Sequence, residues 1–173
     1  INTKLVKSIN YSEFYRSYFL NKKLLMPYIS AKIAISSDYL TINKKEKWIT
    51  NEFSRKIVHL LRSRNDCLVS TSKSVNQDNS LLNCRIGGLD NSKTDLFIVD
   101  LNLKLKKKLF LNKLLRKRKT FLITLKRNFK KTKIFQKLGY KILFIESLVN
   151  KEDFNLFYKK IFKMGYTRVL FET

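Results

Sequence analysis

The sequence predicts an α/β domain built on a central, largely parallel sheet. Four apolar runs have the length of buried strands: Leu96 to Val99, Phe121 to Thr124, Ile142 to Ile145 and Arg168 to Phe171. Stretches with helical spacing alternate with such runs, the order that parallel strands need for their crossovers. An apolar share of 44 % over 173 residues suffices for one domain with a real core.

Tyr11 to Asn21 reads as a short amphipathic helix, with Phe14, Tyr18 and Phe19 on one side. Pro27, the only proline, closes this leader (1–26) and pushes Met26 toward extended backbone. The domain proper, 27–173, opens on Tyr28 to Ser36, where Ile29, Ala31, Ile33 and Ile35 alternate with Lys32 and Ala34 as on a strand. Thr50 is the expected N-cap of a helix running to about Arg64, with Glu52 in its first turn. Phe53, Ile57, Leu60 and Leu61 would be its core face. Cys67 to Ser70 is a short strand, and Gly87-Gly88 with the polar stretch to Lys93 is a loop. Lys151 to Met164 is a helix with Phe154, Phe157, Ile161 and Phe162 inward, ended by Gly165. No internal repeat is present.

A net charge of +24 ordinarily points to nucleic acid or an anionic surface. Here the excess is mostly lysine, 28 against 9 arginines, and it accompanies abundant Asn, Ile, Phe and Leu, the mark of A/T-rich codons. The basic run from Lys104 to Lys133 is broken by Leu105, Leu109, Phe110, Leu111, Leu114 and Leu115, so much of it fits the solvated side of core-forming elements. No stacking platform or nucleic-acid motif accompanies it. Two cysteines without a C-x-x-C pair, and a single histidine, argue against a Cys/His zinc site. Cys67 and Cys84 read as small buried hydrophobes in a reducing compartment. With no signal peptide and no long apolar run, a cytoplasmic protein is expected.

Chemistry concentrates between Met26 and Arg85. Lys32-Ile33-Ala34-Ile35-Ser36-Ser37-Asp38 comes first, then Trp48-Ile49-Thr50, then Arg55, His59 and Arg62 at helical spacing. Ser74-x-x-x-Asp78-Asn79-Ser80-Leu81-Leu82-x-x-Arg85 closes the set. In residue type, order and gap this resembles the reductase domain of the bifunctional riboflavin-biosynthesis deaminase/reductase. The family pattern runs L-K-x-A-x-S-L-D-G, S-x-W-I-T, R-x-x-x-H-x-x-R, then T-x-x-x-D-x-P-x-L-x-x-R. The resemblance implies a dihydrofolate-reductase-like three-layer fold and NADPH as reductant. The implied substrate is a phosphoribosylamino-pyrimidine, 5-amino-6-(5-phosphoribosylamino)uracil, whose ribose becomes a ribityl chain. It also implies a homodimer and a glycine-rich cofactor loop following Thr173. The zinc ligands of the family's deaminase domain, H-x-E and P-C-x-x-C, are absent, so any such domain is expected outside this chain.

The same resemblance assigns roles. Lys32 and Glu172 are the catalytic candidates, a cation and a carboxylate able to polarise the sugar and relay a proton. Arg62 and Arg85 are candidate phosphate ligands, because a guanidinium fork matches phosphate oxygens in pairs. Leu82 would touch the substrate between them. Ala34, Trp48, Ser74 and Asp78 would hold the cofactor: a small side chain and an indole against the nicotinamide, a hydroxyl and a carboxylate for its polar groups. His59 reads as structural, lacking a carboxylate to orient it nearby in sequence. Ser37 and Tyr39 replace the Leu and Gly of S-L-D-G, Glu46 a substrate-binding serine, Ser80 a proline, and Leu101 a serine near the cofactor. These departures keep two other readings open within the fold, a reductase for another pterin or pyrimidine and a domain that no longer turns over. A basic nucleic-acid-binding module is the alternative from a different class.

Overall fold

The computed structural model describes residues 15–41, 49–89 and 94–172. Six strands, β1 (Tyr28–Lys32), β2 (Cys67–Thr71), β3 (Asp95–Val99), β4 (Thr120–Leu125), β5 (Lys141–Ile145) and β6 (Arg168–Glu172), form one sheet. Their order is β1-β6-β2-β3-β4-β5, and every pairing is parallel. The last strand is thus inserted between the first two, setting Lys32 directly opposite Glu172.

Strands β2, β3 and β4 are covered on both faces, as their continuous apolar runs require: Leu68, Val69, Leu96, Phe97, Ile98, Leu122 and Ile123 are all fully buried. Alternate side chains serve two cores. Leu68, Leu96, Ile98, Leu122 and Leu170 face Leu61 of α2 (Glu52–Ser63), Val75 of α3 (Ser72–Asp78) and Phe135 of α4 (Phe129–Leu138). Cys67, Val69, Phe97, Ile123 and Val169 face Phe157 and Ile161 of α5 (Lys151–Lys163). Helices therefore lie on both faces. The basic run folds as its pattern predicts: Leu105, Leu109 and Leu111 sink into the first core while Lys106, Lys107 and Lys108 remain exposed.

Several local expectations are corrected. The leader helix is a single α-turn, Arg16–Phe19, running into a π-turn over Leu20–Leu24, and Tyr11 to Phe14 lie outside the described residues. Strand β1 stops at Lys32 rather than Ser36, because its sole described neighbour, β6, ends opposite it at Glu172. Beyond that point Ile33 and Ile35 are 64 % and 47 % exposed, so their alternation does not mark a buried face. The N-cap of α2 is Asn51, whose side chain accepts from the Ser54 N–H at 2.8 Å, rather than Thr50. Phe53 and Ile57 of α2 point to solvent; the helix buries Arg62 instead. Gly165, with φ +96°, follows Met164, the C-cap of α5, in the left-handed conformation glycine tolerates.

Candidate active site

A polar network begins where β1 and β6 end. Lys32 and Glu172 leave adjacent strands on the same face, with Lys32 Nζ 4.0 Å from Glu172 Oε1. Arg62 approaches from α2 and donates through Nη2 to Oε1 at 2.6 Å and through Nε to Oε2 at 2.9 Å. The guanidinium plane thus matches the carboxylate in the bidentate manner that lysine cannot. Arg62 and Glu172 are each only 8 % exposed, a depth at which a charge needs its partner.

The third nitrogen of Arg62, Nη1, donates to the Asn83 carbonyl at 3.0 Å, and the same oxygen lies 3.0 Å from His59 Nδ1. On the far side of the imidazole, Nε2 lies 3.2 Å from Arg85 Nη2. Burial holds the His59 pKa below its ordinary value, and the positive charges of Arg62 and Arg85 act in the same direction. Arg85 itself is exposed, so its remaining N–H groups face solvent.

The segment carrying Arg85 is bent into shape from beneath. Asn79, the left-handed C-cap of α3, and Leu82 have φ of +46° and +49°, a conformation that asparagine tolerates and that is strained for leucine. Arg118, 8 % exposed, reaches up to donate to the carbonyls of Leu81, at 2.7 Å, and Leu82. Burial lowers its pKa to about 10, and these carbonyls serve in place of a carboxylate. Sequence reasoning missed Arg118 and Asn83. A scarce arginine in a lysine-rich chain was a signal, but Arg116, two residues away, is exposed and makes it ambiguous.

The other candidates divide. Leu82 is a core side chain, 6 % exposed. Ala34 lies past the end of β1, half-buried. Ser74 sits in the first turn of α3, its N–H and hydroxyl both on the Thr71 hydroxyl at 3.2 and 3.1 Å. Asp78 ends that helix in solvent. Trp48 and Glu46 lie outside the described residues. Structure therefore joins Lys32, Arg62, Arg85 and Glu172 in one network, and leaves Ser74 and Asp78 on a neighbouring helix.

Beside that helix runs an open cleft of about 420 Å³, lined by Ser72, Lys73, Asn76, Gln77, Lys104 and Lys106. The carboxylate bonded to this lining, Asp100, is taken up by the Ser72 hydroxyl and by the N–H groups of Lys104 and Leu105. None of the three lysines forms an ion pair among the described residues. A cleft so lined suits phosphate groups. Among the described residues no cluster of His, Cys, Asp or Glu could hold a metal ion, and no helix is long and apolar enough to cross a membrane.

The sequence matches the RibD C-terminal domain family over residues 27–155. Riboflavin biosynthesis protein RibD of Buchnera aphidicola subsp. Baizongia pistaciae is 35 % identical over 72 residues, which is 40 % of this chain and 19 % of that protein. Acinetobacter baumannii RibD shares the fold with a TM-score of 0.72 at 20 % identity, over 93 % of this chain and 44 % of that one. A diaminohydroxyphosphoribosylaminopyrimidine deaminase/5-amino-6-(5-phosphoribosylamino)uracil reductase from Thermotoga maritima does so with a TM-score of 0.66 at 16 % identity, over 94 % and 43 %. This chain spans less than half the length of each of these relatives.

Proposed function

The chain belongs to the RibD C-terminal domain family, and we propose that its polar network is a reductase site that passes hydride from NADPH to the ribose of 5-amino-6-(5-phosphoribosylamino)uracil. The observation that carries this reading is the Lys32–Glu172–Arg62 cluster, a cation, a carboxylate and a guanidinium held at the C-terminal ends of two parallel strands. Ligands of open parallel sheets bind at that edge.

NADPH, when bound, supplies the hydride. The chain must then hold a phosphate dianion, set C1′ of the sugar toward the nicotinamide and manage one proton. Arg85, with donors free in solvent, grips the phosphate, and Arg62 assists with the N–H groups that Glu172 and Asn83 leave unused. Lys32 binds the ribose hydroxyls and polarises C1′, while Glu172 exchanges the proton. The bidentate contact from Arg62 keeps the carboxylate aimed and limits its rotation. Leu82 packs beneath the substrate. On the cofactor side, Ala34 and Trp48 border the nicotinamide, Ser74 and Asp78 meet polar groups of the cofactor, and the lysine-lined cleft receives its phosphates. The free thiols of Cys67 and Cys84 suit the cytoplasm, and a homodimer with a deaminase domain beyond this chain completes the reading.

The test is NADPH oxidation by the full chain with and without the pyrimidine substrate. Turnover should require both, and Glu172→Gln should lower kcat by roughly 10²-fold or more, the usual contribution of a positioned acid or base. Failure to bind NADPH, together with salt-sensitive binding of DNA or RNA, would replace the reductase with a nucleic-acid-binding module.

A further inference from the structure

His59 is bracketed by groups with fixed hydrogen-bonding roles. The Asn83 carbonyl, 3.0 Å from Nδ1, can only accept, so Nδ1 must carry the proton. The Arg85 guanidinium, 3.2 Å from Nε2, can only donate, so Nε2 must present its lone pair. One form of the ring meets both demands: neutral, with the proton on Nδ1. The backbone N–H of Arg85 also points at Nδ1, at 3.2 Å, and asks for the other tautomer; the Nδ1–H ring satisfies two of the three contacts and the Nε2–H ring only this one. An imidazolium would have no acceptor for Arg85. Three charged groups face the ring: Arg62 from its own helix, Arg85 from the segment after α3, and Glu172 at the end of β6. Glu172 is already matched to Arg62.

We propose that His59 is a positioning residue: its Nε2 lone pair holds the Arg85 guanidinium in place for an anionic ligand, and protonation of the ring releases it. This goes beyond the reductase reading in assigning His59, and rests on it only for the ligand's identity. Arg85 is long, exposed and free to adopt many rotamers. A neutral acceptor fixed to a backbone carbonyl restricts that freedom before the ligand arrives. Lysine at position 59 or a permanently charged ring could not do this.

Because His59 is the only histidine, its imidazole ¹⁵N resonances are identified in the whole chain without further labelling. At neutral pH they should report the Nδ1–H tautomer. Arg85→Ala should raise the titration midpoint, by removing both a positive neighbour and the hydrogen bond to the neutral ring. Inorganic phosphate should raise it too, since an anion on Arg85 favours the imidazolium. An Nε2–H tautomer, or a midpoint indifferent to both Arg85→Ala and phosphate, overturns the proposal. Neither readout depends on catalysis, so an inactive chain would defeat the reductase reading and leave this one standing. With turnover in hand, His59→Leu should raise KM for the phosphorylated substrate roughly 3- to 10-fold, the span of a lost hydrogen bond, with kcat retained. His59→Gln, which keeps an acceptor for Arg85, should recover part of that loss. Equal KM in all three proteins, or a fall in kcat alone, would make His59 an ordinary helix residue.

Discussion

At the C-terminal edge of the sheet, the two faces end in different chemistry. Under α2, α3 and α4 the strands finish on Lys32, Glu172, Ser70, Asp100 and Thr124, and the last four are all at most 8 % exposed. On the α5 side the neighbouring positions are Phe171, Val99 and Leu125, with Thr71 the one polar end and Ala31 exposed. These five strands thus close one face largely with apolar packing and the other with polar groups that need partners. Buried polar groups cost free energy unless matched, and their concentration on one face coincides with the proposed site. The apolar face has the simpler task of holding the sheet rigid.

Replacing Arg62 should separate the faces most sharply. Arg62→Leu leaves Glu172 buried beside a lysine 4.0 Å away, and should cost about 3–5 kcal/mol of stability in urea unfolding. Adding Glu172→Leu should restore much of it, as an apolar pair of similar volume replaces the buried ions. An unchanged midpoint in the single variant would mean the network is not organised as described. On the apolar face, Ile161→Ala removes a fully buried side chain and should cost about 2–5 kcal/mol. If NADPH binds as proposed, the folded fraction of this variant should bind it with unchanged affinity; a loss of affinity would blur the contrast between faces.

A smaller gain is expected at Tyr39, which holds φ +62° in the turn after β1. Tyr39→Gly should stabilise the chain by about 1 kcal/mol, the left-handed penalty less the added freedom of the unfolded chain. The smallest effect concerns α5, whose N-terminus is closed by Asn150 and Asp153 in a reciprocal capping box. Hydrogen bonds from the Val149 N–H, the Ser147 hydroxyl and the Asn150 N–H hold the Asp153 carboxyl below its ordinary 3.8. Its contribution is therefore complete above that value and disappears as pH falls through the folded pKa. Wild type and Asp153→Asn should differ in thermal midpoint at neutral pH and converge in acid.

The sheet was legible chiefly through the apolar runs of its strands, a pattern that admits few other structures. Leu96 to Val99 and Ile142 to Ile145 were located within a residue or two. Pattern failed at β1, where Ile33 and Ile35 alternate correctly but have no described neighbouring strand to bury them. It failed again on α2, where Phe53 and Ile57 suggested the inward side and Arg62 occupies it. Periodicity sees hydrophobicity and not charge pairing. The loss of glycine at Tyr39 was readable, and the backbone there keeps the left-handed shape glycine would favour. Among site residues, the meeting of Arg62 with Glu172, 110 residues apart, could not be read from spacing, since it depends on where β6 inserts. The carbonyl contacts of Arg118 and the ring contacts of His59 are likewise products of the fold.

That insertion sets a timetable for the chain during synthesis. Glu172 leaves the ribosome 110 residues after Arg62, on the order of 6–22 s later at ordinary elongation rates. Through that interval β1 has no slot beside β2, and the guanidinium of Arg62 has no carboxylate to answer it. Arrival of β6 then supplies the missing strand and the missing counter-charge together, so closing the sheet and completing the site are one event.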